Sequence, residues 1–272
     1  MITIWHGNSK LFLLLLTAVV LLSGCSGKKA SPEEAEALAE KLSQQYSVTL
    51  HTGEEAALQQ PWDYSFTAET DAEVNLENLR ILEDCLSAYP KGMIPLLSED
   101  CGGLQICLVK EILGKEDTGG LSSARGLQFR DEQGKAFLVL AKDIKYTCYH
   151  ELCHILEDFI QLRTPVFDSW EALNPPGFSY DLDFIKNQER DPKQYLQTED
   201  RAFIDTYSMS FPREDRARIM EYAMTEGNED LFASPIMQEK LRLLSSAIRQ
   251  GFGLEDYREP LLWEQYLKEK HR

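Results

Sequence analysis

The residues best suited to chemistry lie between Tyr146 and Ile160, where His150, Glu151 and His154 stand in the order His-Glu-x-x-His. On a helix, residues four apart sit one above the other, so both imidazoles can aim at one point and share a metal ion. Glu151 projects about 100° around the axis from His150. Its carboxylate then lies beside the metal rather than on it, placed to take a proton from a metal-held water. The chemistry this set suits is hydrolysis by zinc-activated water. Two imidazoles do not complete such a site, because catalytic zinc uses three protein ligands and keeps a fourth position for water. The other histidines are poor candidates: His6 falls in a leader-like segment, His51 is far upstream and His271 is at a chain end. The expected third ligand is a carboxylate from a later helix.

A helix has to carry the pair, and Tyr149, Leu152, Leu156 and Phe159 supply it with a buried stripe at three-to-four spacing, ending before Thr164-Pro165. Two later segments repeat one tetrapeptide, Glu199-Asp200-Arg201-Ala202 and Glu214-Asp215-Arg216-Ala217. Each suits the first turn of a helix, with Thr198 as a cap in one and Pro212 as a first-turn residue in the other. Read alone, either glutamate is also an ordinary first-turn acid favoured by the helix dipole.

The wider context separates them by resemblance. Tyr207-Ser208-Met209-Ser210-Phe211-Pro212-Arg213-Glu214 resembles the stretch of anthrax lethal factor-type gluzincins in which a tyrosine precedes the zinc glutamate by seven residues, and Ala217 fits the alanine that follows. Position 192, seven before Glu199, is a proline. With His150-Glu151-x-x-His154 the resemblance covers about residues 146 to 224. The whole chain also resembles bacterial zinc-binding lipoproteins with a similar Met237-Gln238-x-Lys240-Leu241 segment. The resemblance implies a zincin-like fold, Zn2+ on His150, His154 and Glu214, Glu151 as general base and then acid, and Tyr207 as hydroxyl donor to a tetrahedral oxyanion. It implies as well that a strand before the motif helix pairs with an extended substrate. Metzincins are excluded, since Glu157 and Ile160 occupy their glycine and third-histidine positions. Two departures stand out: Cys153 replaces the usual glycine inside the motif, and Arg218 stands where an acid supporting the ligands is expected. Tyr207 on its own also fits a core aromatic.

The rest of the chain sets the frame. Residues 1–24 read as an export segment, with Lys10 ahead of an apolar run from Leu11 to Leu22 that is short for a membrane span. Leu22-Ser23-Gly24-Cys25 resembles the lipobox of bacterial lipoproteins, which implies cleavage before Cys25 and lipid on that residue, with residues 25–30 as a lipidated tether. The formal net charge is −17, from 28 basic and 45 acidic residues, so no nucleic-acid partner is expected. Cys85, Cys101, Cys107, Cys148 and Cys153 remain, an odd number. Cys101 and Cys107 are spaced to close a small loop, although connectivity stays open, and Cys148 and Cys153 read as buried thiols.

Ser31-Pro32-Glu33-Glu34 caps a first helix carrying Leu38, Leu42 and Tyr46, a strand is expected near 47–51, and a second helix from about 71 to 88. Leu104–Leu113 and Ala136–Ala141 read as strands of one sheet, with a loop-rich stretch between residues 114 and 134. Helical segments follow at about 198–206, 212–226 and 235–250. The expectation is one α+β domain over residues 31–272, with a mixed sheet before the motif helix and a mainly helical C-terminal half. Its expected function is that of a membrane-anchored, extracytoplasmic zinc metallopeptidase acting on peptide or protein. The alternative is a surface lipoprotein of the same fold that binds peptide, wall material or zinc without cleaving.

Overall fold

The structure is a computed structural model and describes residues 31–61, 63–114, 124–161, 166–182 and 192–268. The export segment, Cys25, the tether and the Thr164-Pro165 stop lie outside the described residues.

Helix α1, Pro32–Tyr46, starts where the sequence places it, with Ser31 and Glu34 capping each other's backbone. Strand β1 (Thr49–His51), the short helix α2 (Gly53–Ala57) and strand β2 (Tyr64–Thr67) lead to α3, Ala72–Ser87, whose Asp71 cap accepts from the Glu73 and Val74 amides. After α4 (Met93–Asp100) come strands β3 (Gln105–Leu108), β4 (Glu111–Gly114), β5 (Gly126–Arg130) and β6 (Ala136–Leu140). The motif helix α5 runs Ile144–Gln161. Helices α6 (Lys193–Leu196), α7 (Pro212–Ala223) and α8 (Pro235–Gly251) complete the order. Among the described residues no helix is long and apolar enough to cross a membrane.

The main sheet has the order β1-β3-β6-β5, with the first three strands parallel and β5 antiparallel at the edge. Its period-two alternation divides the interior. Ile106, Leu108, Leu138 and Leu140 face the large core shared by α1, α3, α5, α7 and α8, whereas Cys107, Val109, Phe137 and Val139 face a smaller cluster with Ala56, Phe66 and Ile112. Cys101 belongs to the large core and Cys107 to the small one, on opposite sides of the sheet. All five described cysteines are free and buried, so the Cys101–Cys107 loop is not closed.

Three expectations are corrected. Leu104–Leu113 is two strands rather than one: the chain breaks at Val109-Lys110, and β4 leaves the main sheet to form a ribbon with β2. Part of the stretch expected to be loop-rich is the edge strand β5, where Phe129 stacks on Phe137 with ring centroids 4.7 Å apart. Thr198–Thr206 is not helical. Ala202 and Phe203 are buried in a separate cluster with Met209, and Asp205 and Ser208 tie each other's amides (3.0 and 3.1 Å), a local bonding pattern that competes with helix.

Candidate metal centre

Helix α5 presents both histidines from its side facing α7, and its rear carries the Tyr149, Leu152, Leu156 and Phe159 stripe into the core. Pro212 starts α7 with Phe211 extended before it, which brings Glu214 into the first turn and across to α5. Glu214 Oε2 lies 3.2 Å from His150 Nε2 and 3.6 Å from His154 Nε2. One ligand atom from each of His150, His154 and Glu214 falls within 4.8 Å of the others. Ligands about 2.0–2.2 Å from a tetrahedral zinc stand roughly 3.3–3.5 Å apart, so the spacing and the two-imidazole, one-carboxylate chemistry fit that ion. Glu199 is exposed in a turn after α6 and takes no part.

The histidine backing differs between the two rings. His150 Nδ1 lies 3.1 Å from Glu221 Oε2, on the face of α7 two turns beyond Glu214. A carboxylate at Nδ1 fixes the tautomer that leaves Nε2 for a metal. Glu221 is fully buried and is met by Arg218, which also clamps Asp205. Arg218 therefore does not replace the supporting acid: it neutralises one placed three residues later. Sequence reading missed Glu221, although its seven-residue offset from Glu214 was the available signal. His154 Nδ1 instead accepts from Arg213 Nε at 3.1 Å, an uncommon backing, since metal-binding histidines usually donate from the second nitrogen. Cys153 is buried among core side chains, and burial pushes its thiol up, keeping it protonated.

The electrostatics follow from this crowding. Burial lowers the His150 pKa, but its bonds to Glu214 and Glu221 outweigh that and raise it to about 9. Burial alone raises the Glu214 carboxyl, yet the two histidines carry it well below the usual carboxylate range. Burial raises the Glu151 pKa, opposed by His150 and His154. Glu151 shares a cavity of about 310 Å3 with His150, Arg125, Gly126, Tyr207 and Arg218. Tyr207 lies in a 3-10 turn, 40% exposed, with its ring centroid 6.0 Å from that of His150. Burial and the nearby carboxylates raise its pKa, so the hydroxyl keeps its proton.

Gly126 of β5 explains how closely the edge strand approaches the motif helix. A Cβ there would sit 2.2 Å from Thr147 Cγ2 and 2.9 Å from Glu151 Cγ, so only glycine lets the strand lie against the turn that carries Glu151.

No protein-family profile and no curated protein matches this chain. Among solved structures, it resembles a crystal structure from Bacteroides caccae described as a "putative zinc-binding metallo-peptidase". The two share 16% of aligned residues, with a TM-score of 0.56 over 85% of this chain and 89% of that one. That is a likeness of architecture: this mixed α+β chain has a metallopeptidase-like fold.

Proposed function

We propose that this protein is a zinc metallopeptidase of the gluzincin type on a zincin-like fold, anchored outside the cytoplasm through lipid on Cys25 and acting on peptides or proteins. The observation that carries the reading is the convergence of His150, His154 and Glu214 on one point, with Glu151 in the adjoining cavity. His150, His154 and Glu214 would hold the zinc. Zinc, when bound, supplies a Lewis acid that polarises a carbonyl and lowers the pKa of a water to about 7. Glu151 takes a proton and returns it to the leaving amine, a task suited to a carboxyl whose pKa burial has raised. Tyr207, kept protonated and partly exposed at the same cavity, donates to the oxygen on which negative charge develops. The edge position of β5 offers backbone groups to which an extended peptide can add as a strand.

The test is Glu151→Gln. Zinc content should stay at the wild-type level while cleavage of a peptide library falls about a hundred- to ten-thousand-fold. Loss of zinc from a folded variant, or retained cleavage, refutes the assigned role. Wild-type protein that holds zinc and cleaves nothing would leave a binding protein of this fold.

A further inference from the structure

Two guanidinium groups wall the cavity beside Glu151, and they are held very differently. Arg218 is a closed group: its side chain is 10% exposed and is bonded to Asp205 through two nitrogens and to Glu221 through a third. Arg125 is open. Its side chain is 44% exposed, and its nearest carboxylate oxygens among the described residues are Glu221 Oε1 at 3.4 Å and Asp143 Oδ2 at 3.7 Å. Both distances exceed the roughly 2.7–2.9 Å of a tight charge-assisted bond. A guanidinium has five N–H donors, so with respect to the described residues Arg125 retains donors beyond the one bonded to Glu221. That one serves Glu221: Arg125 Nη2 bonds Oε1, the oxygen that His150 and Arg218, both on Oε2, leave unmet.

The backbone of Arg125 is fixed where this capacity matters. Its carbonyl accepts from the Ala141 and Lys142 amides at 2.9 and 3.1 Å, immediately before β5. The next residue is Gly126, pressed against Glu151. Arg125 thus stands at a set offset from the expected base, a cation on the wall of a cleft in a chain of net charge −17.

We infer that Arg125 selects the substrate by taking a carboxylate next to the bond to be cut, from an acidic side chain or from the free C-terminus of a short peptide. A guanidinium pairs with such a group through two parallel bonds, giving direction as well as affinity. The inference rests on the peptidase reading above and adds its substrate class.

Binding tests it without cleavage. Three fluorescent peptides of one backbone sequence are titrated onto full-length Glu151→Gln protein, with and without zinc: one with an internal glutamate and an amidated end, one with only a free C-terminal carboxylate, and one with neither. At least one carboxylate peptide should bind on the order of tenfold tighter than the neutral one, and which of the two does so identifies the source. Adding Arg125→Ala should abolish the advantage, and Arg125→Lys should keep part of it. Should the alanine variant fail to fold by thermal melting, Arg125→Gln takes its place. Equal binding of all three peptides, no binding of any, or a preference unchanged without the guanidinium overturns the inference. Wild-type cleavage separates the two readings. Preference without any cleavage sinks the peptidase reading alone, and cleavage without preference sinks only the role of Arg125.

Discussion

Glu214 and Glu199 head identical tetrapeptides, and only Glu214 lies within reach of both histidines. Glu214→Ala is expected to give a folded, metal-poor, inactive protein. Glu199→Ala should change stability by less than about 0.5 kcal/mol and leave zinc stoichiometry untouched, as for an exposed acid. The reverse pattern in metal analysis would move the third ligand. His150 yields a second expectation. Its pKa, about 9 in the metal-free protein against an ordinary 6.5, means that a proton occupies the ring at neutral pH and competes with zinc. Apparent zinc affinity should therefore rise about tenfold per pH unit from pH 6.5 towards 9, with one proton released from this ring per ion bound. Stability of the metal-free protein runs the other way. A raised pKa contributes fully below 6.5 and is lost as pH climbs through 9, so its melting temperature should fall across that window. Flat zinc affinity over the same range would contradict the Glu214–His150–Glu221 arrangement. At this scale the motif histidines and Glu151 were legible because their geometry is local to one helix. The pairing of Glu221 with His150 was not, because it joins positions 71 residues apart.

Between elements, the contact that sets the site is α5 against α7, and α7 is held from behind by a buried ion pair. Lys240 Nζ on α8 donates to Asp215 Oδ2 at 2.7 Å and to the Ala202 carbonyl at 2.8 Å, and the same Asp215 oxygen accepts from Trp170 Nε1 and Tyr180 Oη. Both charged side chains are fully buried. Burial raises the Asp215 pKa and lowers that of Lys240, each opposed by its partner. Lys240→Met is therefore expected to cost about 3–5 kcal/mol in denaturant unfolding, since it strands a buried carboxylate beside Glu214, and a second change, Asp215→Asn, should recover part of that loss. A single change costing under about 1 kcal/mol would show that the pair does not hold α7 in place. The periodic helices α1, α3, α5 and α8 could be read from their stripes and caps. The break at Val109-Lys110 had a local signal in the charged Lys110-Glu111 pair, but nothing local says which sheet each half joins. Strand β5 is short and begins with glycine, and what defines it is pairing with β6 and contact with Glu151 rather than its own propensity.

For the molecule as a whole, the proposed lipid anchor and the net charge make a joint prediction about how it would sit on a membrane. The proposed cleavage before Cys25 would take away one positive charge, that of Lys10, and leave a mature chain of −17 − 1 = −18. A body of that charge is repelled by anionic headgroups, which leaves electrostatics no part in holding it to a lipid surface. Residues 25–30 reach about 20 Å at full extension, so a lipid on Cys25 would keep the domain close to the surface, while the repulsion favours standing off from it. Two or more acyl chains on one residue suffice for stable attachment. Retention should then depend on Cys25 and not on ionic strength: wild-type protein should stay with the membrane fraction in 1 M salt, where the Debye length falls to about 3 Å. Cys25→Ser should either leave the leader uncleaved or release the domain into the soluble fraction. A Cys25→Ser protein that is processed and retained like wild type, or a wild-type protein stripped by salt alone, would rule out the lipid anchor and with it the proposed location.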